Sequence, residues 1–157
     1  MFDTDTLLCL IDDRNRLCSV YEAAMEAMIT CDEDELTSRM QELEEISRRI
    51  DHVNMQVESL ASGDPEHRHI IISAAYSRGN REDLPEELYS VFDSAQAGFA
   101  SLNRADNSSL IVTERIKSRL QELDKQIRKL SVQPKIISYL NSGVSSDVSG
   151  GKIDSNI

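Results

Sequence analysis

Residues 84–130 read LPEELYSVFDSAQAGFASLNRADNSSLIVTERIKSRLQELDKQIRKL, and this stretch decides the fold. It begins with LPEE, a strong helix start, because proline fits a first helical turn and acidic residues stabilise the positive end of the helix dipole. Apolar residues then recur three or four positions apart, which predicts one amphipathic helix over 85–130. They are Leu88, Val91, Phe92, Ala95, Phe99, Leu102, Leu110, Val112, Ile116, Leu120, Leu123, Ile127 and Leu130.

The predicted length of this helix requires other elements around it. At ~1.5 Å per residue the helix would be ~70 Å long, far longer than a helix of an ordinary globular protein. An apolar stripe of that length is unfavourable when it is exposed to water. The rest of the chain, or a partner, must therefore cover it.

Two segments that precede the stretch form the predicted cover. Residues 5–30 carry an apolar stripe that Arg14 interrupts, and residues 33–61 carry a nearly strict heptad pattern. The connection between them is short, which predicts an antiparallel hairpin. The heptad residues are Leu36, Met40, Leu43, Ile46, Ile50, Val53, Val57 and Leu60.

The sequence thus predicts an all-α fold, a long antiparallel helical hairpin packed on a very long third helix in the manner of a three-helix bundle or coiled coil. A short helix over 66–77 lies between them. Pro134 should end the long helix, since the residue before a proline is disfavoured in the α region. We expect one helical domain over 1–140 and a flexible tail over 141–157, which is rich in serine and glycine.

The composition of the chain narrows the range of possible partners and cellular locations. A net charge of −11 argues against nucleic acid and anionic membranes as partners, because both require a basic face. No apolar run approaches the ~20 residues of a membrane span, and the first residues lack the basic region of a signal peptide. Cys9, Cys18 and Cys31 follow no disulfide or metal-binding framework. These features predict a soluble cytoplasmic protein.

The residues predict no enzyme chemistry: no catalytic residue, no cofactor and no metal site. His67 and His69 are two positions apart, so on a helix their side chains diverge, whereas helical zinc sites use spacings of three or four. The many carboxylates are typical of solvated helix faces, and there is no glycine-rich phosphate loop.

Basic residues gather in one part of this acidic chain, near the end of the long helix. The simpler interpretation is that these basic side chains stabilise the negative C-terminal end of the helix dipole. The alternative is that they form a docking face for an acidic partner segment. These residues are Lys117, Arg119, Lys125, Arg128, Lys129 and Lys135.

The order of elements and one motif resemble the FlgN-type flagellar export chaperones of bacteria. The motif is Leu102-Asn103-x-x-x-Asn107-x-x-Leu110-Ile111-x-x-x-Arg115-Ile116-x-x-x-Leu120. The resemblance implies a cytoplasmic, non-enzymatic protein that keeps hook-associated proteins of the hook–filament junction soluble before their export through the flagellar type III apparatus.

Members of that family bind a helical C-terminal segment of the client through their own C-terminal region. Here that region corresponds to Leu120, Leu123, Ile127, Leu130, Ile136, Ile137 and Leu140, with Lys125, Arg128 and Lys129 placed to pair with an acidic rim of the client. Helix lengths favour the same surface independently, since hairpin helices of ~38 and ~44 Å cannot cover a ~70 Å stripe.

Two alternatives stay open at this point. Another flagellar or type III secretion chaperone, such as the FliT type, shares the size, helicity and acidity of this chain. A coiled-coil adaptor that self-associates would instead close the surplus stripe in a homodimer.

Overall fold

The computed structural model describes the backbone of residues 3–149 and the side chains of residues 3–132, Ser138 and Leu140. Within 3–149 the chain forms helices and no strand, which confirms the all-α prediction. Two short 3₁₀ turns, Arg81–Asp83 and Glu86–Leu88, precede the last helix. The helices are α1 (Thr4–Thr30), α2 (Glu33–Ser62), α3 (Arg68–Ala75) and α4 (Tyr89–Ser149).

The hairpin of α1 and α2 begins and turns close to where the sequence predicts. Asp3 caps α1, since its side chain accepts a 3.0 Å hydrogen bond from the Thr6 backbone N–H. Cys31 and Asp32 have extended backbone angles and separate the two helices. So short a connection makes the helices antiparallel neighbours.

The predicted end of the long helix at Pro134 is wrong, because α4 continues to Ser149. Proline fixes φ at about −65°, which is a helical value. Because it has no backbone N–H, it removes one helical hydrogen bond, but it does not forbid helical backbone. The helix is also continuous through residues 103–109, although the Asn, Asp and Ser side chains of that segment can compete for helical backbone hydrogen bonds. The predicted tail is helical over 141–149, and residues 150–157 lie outside the described part of the chain.

Contacts divide the chain into two compact units, which we call unit 1 (Met1–Thr113) and unit 2 (Glu114–Ile157). Unit 1 is a helical bundle that contains α1, α2, α3 and the first part of α4. Its main core gathers side chains from all four helices and from the segment before α4. These buried residues are Leu7, Ile11, Val57, Ala61, Ile71, Ala74, Ala75, Leu84, Leu88, Val91, Phe92 and Ala95.

The heptad of α2 is buried over only part of its length. Leu43, Ile46, Ile50, Val53 and Val57 are buried, as their 4-3 spacing predicts. Near the start of the helix, however, Met40 is 55% exposed and Leu36 is half-buried. The pattern therefore identified the correct face and overstated how far along the helix that face is covered.

Helices α1 and α4 approach each other closely through small and polar residues. The Asn15 side chain donates to the Ser94 backbone carbonyl at 2.6 Å, and Ser94 Oγ donates to Asp12 Oδ1 at 2.7 Å. A Cβ atom at Gly98 would lie 2.1 Å from the Asn15 side-chain oxygen. A larger residue at position 98 would therefore displace the end of the Asn15 side chain, which donates to the Ser94 carbonyl.

Candidate partner-binding surface

The candidate surface is a row of apolar side chains on the part of α4 that belongs to unit 2. We call this row, Ile116, Leu120, Leu123, Ile127 and Leu130, the apolar seam. Its members alternate four and three positions apart and so share one helix face. Leu120, Ile127 and Leu130 are 60%, 63% and 64% exposed, and Leu123 is 37% exposed. Such a row of large exposed side chains marks an interaction surface more often than a chance feature.

Polar residues surround the seam, and their positions differ from the sequence prediction. Lys125, Arg128 and Lys129 lie about 120–160° around the helix from Leu123, at ~100° per residue. They therefore sit on the outer face of α4 rather than at the rim of a groove. The residues that border the seam directly are Lys117, Arg119, Asp124 and Gln126, which is a mixed set of charges.

Several charged side chains of this segment pair along the helix itself. Lys117 Nζ lies 3.1 Å from Glu114 Oε1, and Arg119 Nη1 lies 3.0 Å from Glu122 Oε2. Arg128 Nη2 lies 3.0 Å from Asp124 Oδ2. Exposed pairs three or four residues apart contribute only ~0.2–0.5 kcal/mol each to helix stability. These pairs support the helix and leave the seam uncovered by their own side chains.

The remaining predicted binding residues lie beyond Pro134. Leu140 is 65% exposed, as a binding residue would need to be. The side chains of Ile136 and Ile137 lie outside the described set. Val132, which the sequence analysis did not select, is 53% exposed and lies about 180° from Leu123, on the face opposite the seam.

The residues that carry the family resemblance lie mostly on the surface. Asn103 and Asn107 are exposed, and Leu110 and Ile111 are 66% and 54% exposed. Leu102 is only half-buried. Core packing in this chain therefore does not account for most of the motif.

Arg14 is a buried cation that sequence reasoning noticed only as an interruption of a stripe. Its guanidinium donates to Asn54 Oδ1 at 3.1 Å and to the Ala75 carbonyl, and it lies 5.1 and 5.2 Å from the ring centres of Tyr76 and Phe99. Burial lowers the pKa of Arg14. A cation at the last carbonyls of α3 is favourable because that helix end is negative. Arg14 thereby links α1 to α2, α3 and α4 as a structural residue.

The histidine-rich patch is a helix start. Asp64 accepts a 3.3 Å hydrogen bond from the His67 backbone N–H, and the hydrogen bond with the His67 side chain at 3.0 Å lowers the pKa of Asp64. This arrangement precedes the first residue of α3, which is Arg68. Within the described part of the chain, no three His, Cys, Asp or Glu side chains come together as metal ligands.

A search of the described helices for a span that could cross a bilayer finds none that is both long and apolar enough. Comparison of the chain with protein-family models, with curated proteins and with solved structures gives no match.

Proposed function

We propose that this protein is a cytoplasmic export chaperone of the FlgN type, which binds hook-associated flagellar proteins and keeps them soluble until the flagellar type III apparatus exports them. The observation that carries the proposal is the apolar seam. Three of its five side chains are at least 60% exposed, and most side chains on the other faces of this segment are charged or polar. A seam with this spacing fits one partner shape, an amphipathic helix.

The chemistry of the seam defines the client segment. Leucine and isoleucine side chains repeated over about 21 Å of helix match a client helix with its own apolar positions at the same spacing. Each fully buried leucine or isoleucine contributes ~1.5–3 kcal/mol, so a few of them give useful affinity after the cost of ordering the client. A chaperone that must release its client needs affinity of this moderate kind.

The exposed motif supports the same proposal. Asn103, Asn107, Leu110 and Ile111 are exposed, so the requirement that fixes these residue types in this chain is not burial in its own core. A second binding contact, to the client or to the export apparatus, would account for them. A chaperone of the FliT type remains the nearest alternative, and it would differ in which flagellar client it binds.

Because acidic and basic residues both border the seam, the basic cluster would contribute to client binding differently from the sequence prediction. Lys125, Arg128 and Lys129 lie on the outer face, so they cannot form contacts with a client helix that occupies the seam. Their positive charge would act at a distance and speed the encounter with an acidic client. Charge reversal at these positions should therefore slow association and leave dissociation nearly unchanged.

The proposal is tested by combining Leu123→Ala with Ile127→Ala and titrating the variant calorimetrically with a hook-associated protein. Losing two buried side chains of this size should weaken binding by at least ~100-fold. Val132→Ala is the matched control, because Val132 is exposed on the same helix and faces away from the seam. Circular dichroism of each variant should show unchanged helix content.

Normal binding by the double variant would place the client site elsewhere. Equal losses in the double variant and in Val132→Ala would also contradict the proposal, because a seam contact must be specific to one face of the helix.

A further inference from the structure

We propose that, without a client, the apolar seam pairs with the same seam of a second copy in a parallel two-stranded coiled coil. The occupant of the seam is thus another copy of this chain. The observations are the heptad spacing, the residue types in the seam and the charges that border it. The proposal does not depend on the chaperone function, because it concerns the protein alone.

The second half of the seam, from Leu123 to Leu130, has the residue pattern of a two-stranded coiled coil. In a heptad written abcdefg, Leu120 and Ile127 occupy a positions, and Ile116, Leu123 and Leu130 occupy d positions. Parallel dimers favour a β-branched residue at a together with leucine at d. The layers formed by Leu123, Ile127 and Leu130 follow that preference, whereas Ile116 at d and Leu120 at a have the reverse arrangement.

The charges that border the seam are complementary to their own copies in the parallel arrangement. Arg119 occupies a g position, and Asp124, five residues later, occupies the following e position. In a parallel dimer each g residue faces the e residue of the next heptad on the other chain. Arg119 of one copy therefore faces Asp124 of the other, and twofold symmetry places this pair twice. Each side chain would share its charge between this contact and its partner on its own helix, Glu122 for Arg119 and Arg128 for Asp124.

The other basic residues of the segment do not oppose this pairing. Lys125, Arg128 and Lys129 occupy f, b and c positions, which point away from a partner helix. Repulsion between the two positively charged segments is thereby kept at a distance where water and salt screen it.

The size of the seam sets the strength of the pairing. Five layers extend over about 21 Å, which is short for a coiled coil and smaller than the interface of a permanent dimer. The dimer should therefore form reversibly as the protein concentration rises. Dilution, or a helix with a better complementary face, would release the seam.

The first test is sedimentation equilibrium of the full chain, without any client, over a range of concentrations. The average mass should rise from monomer towards dimer, and Leu123→Asp should hold it at monomer. Val132→Asp, with the same new charge on the opposite face, should leave the rise unchanged. A monomeric mass at every concentration up to ~1 mM would overturn the proposal, since a weaker association has no useful free energy.

The second test determines whether the two helices are parallel or antiparallel. Its substitutions lie at the border of the seam, so they place no charge inside the interface. Arg119→Glu alone, or Asp124→Arg alone, turns two attractive pairs into repulsive ones and should weaken dimerisation roughly tenfold. The two changes together restore opposite charges and should recover the original affinity. Lys125→Glu, on the outer face, is the control and should change dimerisation little.

An antiparallel dimer would give a different result, because it places e against e and g against g. Arg119 would then face Gln126, and Asp124 would face Lys117. Arg119→Glu would have little effect, and the double variant would not recover. Failure of the double variant to recover overturns the parallel arrangement.

Discussion

Helix α4 runs through both units, and the burial of its side chains differs between them. In unit 1, the buried face of α4 has the larger residues Val91, Phe92 and Val112 towards its ends. Between them lie four small residues, Ala95, Gly98, Ser101 and Ala105. In unit 2, the same helix carries leucine and isoleucine side chains that are mostly more than half exposed.

The balance of acidic and basic residues also differs between unit 1 and the described part of unit 2. Residues 1–113 contain 23 Asp or Glu and nine Lys or Arg, whereas residues 114–132 contain three acidic and six basic residues. Among the described residues of unit 2, the ion pairs found join side chains three or four positions apart. In unit 1, Glu22 of α1 pairs with Arg104 of α4, which is a tertiary contact.

In unit 1, small residues allow two helices to pack closely, whereas in unit 2 large apolar residues are exposed. Alanine, glycine and serine let α1 and α4 approach closely enough for side chains such as Asn15 to reach the backbone of the other helix. Large side chains would keep the helices further apart. Leucines and isoleucines on a free face, by contrast, supply area that a second helix can cover.

The largest expected effect compares the same substitution in the two units. Ile50→Asp places a charge at a position that is 9% exposed and should destabilise unit 1 by ~4 kcal/mol or more. Ile127→Asp, at a position 63% exposed, should change stability by only about ±0.5 kcal/mol. Denaturant unfolding at low protein concentration, where the proposed dimer would dissociate, gives both values.

Comparable losses in the two variants would break the distinction, because they would mean that Ile127 belongs to a packed core. Little loss in Ile50→Asp would show that the buried face of α2 was assigned incorrectly.

An intermediate effect tests whether the small residues of α4 are required. Ala105 is fully buried, and Ala105→Leu should cost ~1–3 kcal/mol because the larger side chain overpacks the contact face. Ala100→Leu is the matched control, since Ala100 is exposed on the same helix. A shift in the thermal midpoint of Ala105→Leu but not of Ala100→Leu is the expected result, and equal shifts would contradict it.

The smallest effect concerns the acid stability of the tertiary ion pair in unit 1. Arg104 donates to Glu22 at 2.5 and 3.1 Å, and this hydrogen bonding lowers the pKa of Glu22 from its ordinary value of 4.5. A carboxylate with a lowered folded-state pKa stabilises the fold above its unfolded pKa. That contribution is lost as the pH falls through the folded value.

Glu22→Gln should therefore lose less stability than the unmodified chain when the pH falls below about 4.5. Glu66→Gln, a change at an exposed position, is the control. Thermal midpoints measured across this pH range give the comparison. Identical acid profiles for Glu22→Gln and the unmodified chain would show that the pair is too solvated to contribute.

The sequence predicted the hairpin well because its signals are local. Acidic residues at the start of each helix, a two-residue break at Cys31 and Asp32, and the 4-3 spacing from Leu43 to Val57 depend only on neighbouring residues. The burial of Arg14 was not predictable in the same way. Its hydrogen-bond partners, Asn54 and Ala75, are distant in sequence.

The outer-face position of Lys125, Arg128 and Lys129 could have been found from the sequence. Their spacing from Leu123 fixes their angle around the helix once the helix is accepted. Clustering along the chain, however, does not imply clustering on one face of a helix. In the same way, the preference against helical backbone before a proline does not end α4 at Pro134.

Helical periodicity and capping depend on residues a few positions apart, so the helical fold, the turn of the hairpin and the apolar face of unit 2 are all predictable from the sequence. Which apolar residues are covered is not predictable in this way. Ala105 is buried and Leu120 is exposed, the reverse of their hydrophobicity. Burial depends on which elements meet in space, and small residues that permit close contact carry little hydropathic signal.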